Sequence, residues 1–177
     1  MNKSLLENRP LASVVLVLAV VISIFGIGGG KLSSIGKKAE AYFAENIMGD
    51  ITVREAAAGT FLDATKQSVG GTDAYSAVEK AVAQLEKADG ASEIYKANVQ
   101  LTSAVELLYG EYCAKNGEPK TGSVEQEQLS ELRSRDAIIS HSTQEYNDLA
   151  RDAEEKMSGF PASLIASVTG SKVTQFA

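Results

Sequence analysis

The chain has 177 residues, a formal net charge of −6, 44% hydrophobic residues and 23% charged residues. These values exclude wholesale disorder, and the acidic excess argues against nucleic-acid binding, which depends on clustered Lys and Arg. The chain contains three prolines, Pro10, Pro119 and Pro161, so residues 11–118 contain no helix breaker of this kind. The composition therefore favours long helices.

The first predicted element is an uncharged, apolar run from Pro10 to Gly30. A helix of about 20 apolar residues crosses a bilayer, so we predict a single transmembrane anchor here, within an N-terminal segment over 1–30. The alternative is a secretory signal peptide cleaved near residues 26–28, although the apolar region of such peptides is usually only ~7–15 residues long. A small excess of Lys and Arg after the run favours a cytoplasmic location for the rest of the chain.

Small residues recur along one face of the predicted anchor, at Ala19, Ser23, Gly26 and Gly30. Small side chains let transmembrane helices approach closely, so these four residues form a candidate association face for a homo-oligomer. The alternative is that the glycines form a hinge where the span ends. A phosphate-binding loop is not expected, because no strand precedes the glycines and no Lys-Ser pair follows them.

Residues 31–160 are predicted to form a helical bundle, because helical periodicity is interrupted only by short turns. Thr52 and Glu55 have the spacing of a capping box, and Asp73 is expected to cap the next helix. The predicted helices span 33–46, 52–69, 73–89, 91–115 and 124–159.

The last of these helices carries two rows of residues spaced by seven, which is the pattern of a coiled-coil-like seam. Pro161 disfavours helix in the residue before it, so the helix is expected to end there. The apolar tail over 161–177 is then expected to pack on the end of the bundle. The first row, taken as the bundle seam, contains Leu132, Ile139, Tyr146, Ala153 and Phe160.

Asp136 is a polar interruption of the second row, where an unpaired carboxylate would be costly. That row contains Leu129, Asp136, Thr143, Ala150 and Met157. We expect Arg133 or Arg135 to pair with it, or Asp136 to mark helix register or a partner contact. On this interpretation, replacement of Asp136 by leucine should raise the stability of the bundle and alter its oligomeric state.

No catalytic, cofactor or metal site is predicted. His141, the single histidine, falls away from the seam, and the Glu-x-x-His motifs of di-metal bundles do not occur. Asp148, Asp152 and Glu155 share one helix face, which is typical of a solvated acidic surface. Cys113, the single cysteine, is expected to be a small buried apolar side chain. We therefore do not expect an enzyme.

Short motifs in the C-terminal half occur in an order and spacing that are typical of a known protein family. They are Tyr146-Asn147, Arg151-Asp152, Phe160-Pro161, Leu164-Ile165-Ala166 and Gly170, with Lys96-Ala97-Asn98 and Glu131-Leu132 upstream. In these residues the chain resembles the LemA family of bacterial membrane proteins. The motifs are specific over the last ~40 residues.

The resemblance implies a long four-helix bundle on an N-terminal transmembrane helix, with the short N-terminus outside and the bundle in the bacterial cytoplasm. It implies no particular biochemical activity. The Glu and Arg that the family carries one heptad apart become Asp136 and Thr143 here, so we expect the buried ion pair of its relatives to be absent.

The predicted fold is therefore all-α, with an N-terminal transmembrane helix followed by an elongated antiparallel four-helix-type bundle. The leading hypothesis is a non-enzymatic scaffold in the bacterial cell membrane that binds protein partners and self-associates. The alternative is a secreted or extracytoplasmic helical binding domain released by signal-peptide cleavage. Neither hypothesis includes a cofactor or nucleic acid.

Overall fold

The computed structural model describes residues 29–159, 162–169 and 173–177. Within these residues the protein is helical and contains no strand, which confirms the predicted all-α class. The helices of the described residues are α1 (Gly29–Asn46), α2 (Met48–Val69), α3 (Asp73–Lys87), α4 (Ala91–Asn116), α5 (Val124–Ser158) and α6 (Ala162–Thr169).

The predicted anchor lies almost entirely before the described residues. From Gly29 onward, no described helix combines the length and the apolar character that a bilayer span requires. Of the candidate association face, Ala19, Ser23 and Gly26 lie outside the described residues, and Gly30 lies in the first turn of α1.

Helices α1 and α2 are separated only at Ile47. The backbone ladder passes through this residue, because Ile47 N–H donates to the Phe43 carbonyl and Ile51 N–H donates to the Ile47 carbonyl, each at 3.0 Å. Ile47 is fully buried, and its packing in the core keeps the backbone helical at a point where the sequence predicted a break between two helices. The predicted capping box is wrong: α2 begins at Met48, and the Thr52 hydroxyl donates to the Met48 carbonyl from inside the helix (3.0 Å).

Short turns connect α2 to α3 and α3 to α4. Thr72 caps α3 in place of the predicted Asp73, since the Thr72 hydroxyl oxygen accepts the N–H of Tyr75 (3.2 Å) and Asp73 is already the first helical residue. Gly90, just before α4, has φ +83°, a conformation that favours glycine. Turns this short make successive helices antiparallel neighbours.

The chain divides into two compact units. The first comprises Met1–Glu40 and Ala150–Val173, and the second comprises Ala41–Leu149 and Thr174–Ala177. In the first unit, Gly36 of α1 lies against Val173, whose Cγ2 atom would be 3.4 Å from a Cβ on the glycine. Ala39, Ala150 and Ala153 of this unit are fully buried.

In the second unit, α2, α3 and α4 pack on one another. Side-chain bonds join α5 to α2 and to α4, so α5 completes the helical bundle. Two contacts give the direction of α5. The Tyr42 hydroxyl donates to Glu145 Oε2 (3.0 Å), whereas Arg135 bonds to Asp50 (2.7 Å), so residue numbers rise along α1 and α2 as they fall along α5. Helix α5 therefore runs antiparallel to this pair.

The predicted seam of α5 lies inside the protein. Leu132, Ile139 and Tyr146 are 1%, 2% and 4% exposed, and Phe160 lies outside the described residues. Helix α4 buries its own heptad row facing the same interior, with Leu101 and Leu108 fully enclosed.

The C-terminal residues pack through one aromatic side chain. Phe176 is 1% exposed, and its ring centroid lies 5.5 Å from that of Phe43, 5.0 Å from Tyr95 and 6.3 Å from Tyr146. The side-chain amide of Asn147 donates to the Phe176 carbonyl (3.1 Å) and accepts its N–H (2.6 Å). Both backbone groups of Phe176 are thus paired, and the ring completes the core beside the start of α4.

Candidate functional site

A layer of polar side chains crosses the interior of the bundle. The guanidinium of Arg54 in α2 donates from Nε to the Leu132 carbonyl (3.1 Å), from Nη2 to the Thr102 hydroxyl (2.8 Å) and from Nη1 to Asn98 Oδ1. Its Nη1 also lies 2.9 Å from Asp136 Oδ1. This polar layer joins α2, α4 and α5, so one buried side chain links three helices.

The two charges of the layer differ in exposure. The side chain of Arg54 is 2% exposed, whereas that of Asp136 is 36% exposed. Burial lowers the pKa of Arg54, and the charge of Asp136 opposes that shift. The carboxylate therefore compensates a buried cation on one side while it faces solvent on the other.

The expected partners of Asp136 are wrong. Arg133 forms a bidentate pair with Glu106, at 2.8 and 2.7 Å, and Arg135 bonds to Asp50 at 2.7 Å. The physical reason is the face of α5 on which each side chain lies. Asp136 lies on the face that packs against α2 and α4. Arg133 and Arg135 lie at the edges of that face, where they bind carboxylates of the neighbouring helices.

The expected loss of a buried ion pair also needs correction. Thr143 cannot supply a charge, and its hydroxyl donates to the Ile139 carbonyl (2.7 Å). Asp136 is nevertheless paired with a buried cation, because Arg54 of α2 supplies the positive charge.

Arg54 is the residue that the sequence interpretation missed. It stands seven residues after Ile47 and seven before Phe61, both of which are fully buried, so it occupies an apolar heptad row. Asn98 likewise stands between the buried Ala91 and Val105. A polar residue in each of three apolar rows is a sequence signal for a shared polar layer.

A groove of about 270 Å³ opens above the polar layer, between α4 and α5. Asp136, Asn98 and Thr102 form part of its lining, and Tyr95 and Phe176 lie among its apolar wall residues. The remaining lining residues are Val99, Ser103, Ile139, Ser140 and Thr143. The groove thus brings a partly exposed carboxylate together with hydroxyl groups and aromatic rings.

Other residues singled out in the sequence lie elsewhere. His141 is exposed, and so are the acidic residues Asp148, Asp152 and Glu155. No group of His, Cys, Asp or Glu in the described part of the chain is arranged to hold a metal ion. Cys113 is a free, half-buried thiol rather than the buried one expected.

Comparison of the sequence with models of protein families gave no match, and comparison with curated proteins gave no significant match. The resemblance to the LemA family therefore rests on the motifs quoted above.

Proposed function

We propose that the protein is a non-enzymatic scaffold of the bacterial cell membrane, with a single N-terminal span and an elongated four-helix-type bundle that binds protein partners in the cytoplasm. The observation that carries this proposal is the order of the elements. The uncharged run over 10–30 leads directly into α1, whose backbone ladder continues through Ile47 into α2. A run of this length suits a bilayer span. The LemA-like motifs favour the same arrangement.

The polar layer supports a structural role for the bundle. Arg54, Asn98 and Asp136 come from three helices and bond to one another. Buried polar residues that pair in this way can fix the register of packed helices. The net charge of −6 favours partners that present a basic surface.

Membrane fractionation of cells that express the full chain with a C-terminal tag tests the anchor. We expect the intact chain to stay in the pellet through high-salt and carbonate washes, and the tag to resist protease until the membrane is opened. The variant Leu16→Arg with Val20→Arg should leave the membrane, since each charge at the centre of a span costs about 2.5–3.5 kcal/mol. Leu16→Ile with Val20→Ile is the matched control.

Release of the wild-type chain by carbonate would contradict the anchor. A mature N-terminus near Gly28 would instead favour a secreted or extracytoplasmic domain, and N-terminal sequencing of the same fractions distinguishes the two results.

Self-association is tested at the small-residue face. Ala19→Ile with Gly26→Ile should reduce the crosslinked dimer at least about fivefold, because the larger side chains hold the helices apart. Val21→Ile, on another face, is the control. Chemical crosslinking in native membranes and light scattering in maltoside micelles provide the readout, and an unchanged dimer in the double variant would exclude this face.

A further inference from the structure

We propose that the groove between α4 and α5 binds a small organic ammonium ion, with Asp136 as its counter-ion. This inference is independent of the scaffold proposal, since it concerns a ligand site on the bundle itself. Three features of the groove point to the chemistry of the ligand: the free side of the carboxylate, the direction of the hydroxyl protons, and the aromatic residues in the wall.

Among the described residues, the bonds to the carboxylate of Asp136 involve only one of its oxygens. The contacts from Arg54, Asn98 and Thr102, at 2.9, 3.4 and 3.2 Å, all end on Oδ1. The side chain is 36% exposed and lines the groove. Oδ2 is therefore available to accept a hydrogen bond from a ligand, and an ionised carboxylate can only accept.

Two hydroxyl groups of the groove are also oriented as acceptors. Ser103 and Thr143 each donate to the backbone carbonyl four residues earlier in the same helix, at 3.1 and 2.7 Å. A hydroxyl has one proton to donate and two lone pairs that accept. With their protons directed into the helices, these groups present lone pairs, so the groove matches a ligand that donates several hydrogen bonds.

Tyr95 favours a cation over a neutral donor. It is partly exposed and lines the groove, and its ring meets that of the buried Phe176 edge to face, with centroids 5.0 Å apart. The faces of aromatic rings attract ammonium groups. None of the described residues that line the groove is basic, so no side chain of the wall competes for Asp136.

The size and charge of the groove limit the ligand. A volume of about 270 Å³ lies just below the usual range for pockets that hold drug-sized ligands, which suits a small amine. Arg54 lies behind the carboxylate and offsets part of its charge. We therefore expect dissociation constants on the order of 1 mM, weaker than those of a fully enclosed ion pair.

The test uses the full chain, ¹⁵N-labelled, in non-ionic maltoside micelles at pH 7. Titration with n-butylammonium chloride should give saturable amide shifts at Ser103, Ser140 and Thr143. 1-Butanol and sodium butyrate, matched in length, should bind at least about tenfold more weakly. Sodium chloride at equal ionic strength controls for screening.

Two variants connect the binding to the groove. Ser140→Leu fills the groove from an exposed position and should weaken butylammonium binding at least about tenfold, whereas Ser134→Leu, exposed elsewhere on α5, should not. Asp136→Asn should remove the preference for butylammonium over butanol. Equal binding of the amine and the alcohol, or binding that Ser140→Leu leaves unchanged, would overturn the proposal. The Ser140→Leu result decides the matter if Asp136→Asn does not fold.

Discussion

Arg54 in α2 and Asp136 in α5 form an ion pair across the inside of the bundle, with Nη1 and Oδ1 separated by 2.9 Å. The guanidinium is buried, and the carboxylate is partly exposed. Removal of the carboxylate would leave a buried charge without a counter-ion, whereas removal of both side chains would not. The two residues therefore act as one unit.

Replacement of Asp136 by leucine should lower the free energy of unfolding by about 2–3 kcal/mol, because Arg54 stays buried and unpaired. The value is below that for a fully enclosed pair, since the Asp136 side chain is 36% exposed. This reverses the sequence-based expectation that leucine would raise stability. Urea denaturation of the full chain in maltoside, followed by circular dichroism, measures the change.

A double variant provides the control for this pair. Arg54→Met with Asp136→Leu removes both charges and should be more stable than Asp136→Leu alone by at least about 1 kcal/mol. Stabilities that add as if the two sites were independent would show that the ion pair contributes nothing.

Adjacent leucines in α4 test the assignment of the core. Leu108 is fully buried and Leu107 is 63% exposed. Leu108→Ala should cost about 2–5 kcal/mol through the cavity that it leaves, and Leu107→Ala should change stability by less than about 0.5 kcal/mol. The melting temperatures of the two variants, measured in parallel by thermal unfolding, test this difference. Similar melting temperatures would mean that α4 is rotated about its own axis relative to this structure, so that a different face is buried.

The C-terminal contact should contribute to stability through Phe176. Phe176→Ala removes a ring packed against Phe43, Tyr95 and Tyr146 and should cost about 3 kcal/mol. Thr174→Ala is the matched control, because the Thr174 side chain is exposed and only its carbonyl accepts a bond from Tyr146. Hydrogen exchange at the start of α4 should accelerate in Phe176→Ala alone. Equal protection in both variants would show that the segment is not part of the core.

Glu55 should make stability depend on pH above its ordinary pKa of 4.5. Burial raises the pKa of Glu55, and the charge of Glu86 raises it further. The folded state then binds the proton more tightly, so Glu55 adds stability as the pH falls through its raised pKa, and the gain is complete below the unfolded value. Glu55→Gln should raise stability at pH 7 by about 0.5 kcal/mol and flatten the pH profile.

The pKa of Glu106 is shifted in the opposite direction to that of Glu55. The hydrogen bond from Arg133 lowers the pKa of Glu106, so its stabilising effect is present above the unfolded value of 4.5 and is lost as the pH falls through the lower folded value. Glu106→Gln should therefore lower stability at pH 7 and remove the loss of stability that this carboxylate causes in the acid range. Urea midpoints measured from pH 3 to 7 separate the two effects, and a Glu55→Gln profile parallel to that of the wild type would contradict the assignment.

Most helix positions could be predicted closely from the sequence: the predicted starts of α3, α4 and α5 agree with the structure, whereas that of α2 does not. The prediction for α4 agrees with the structure to within one residue, because Gly90 and Gly117 are local signals for the start and the end of the helix. The start of α2 was misplaced by four residues, since the capping spacing at Thr52 is a local pattern that core packing at Ile47 overrides. Local rules fail where a buried side chain keeps a helix continuous.

The sequence by itself determined that the chain is helical and that Leu132, Ile139 and Tyr146 share one face, because helical periodicity is a property of neighbouring residues. The tertiary structure alone decided which polar residues meet. Asn98 lies 44 residues from Arg54 and 38 from Asp136, and their contact depends on the direction and register of three helices. No local pattern encodes that register, so the partner of Asp136 and the groove above it appear only when the helices are packed.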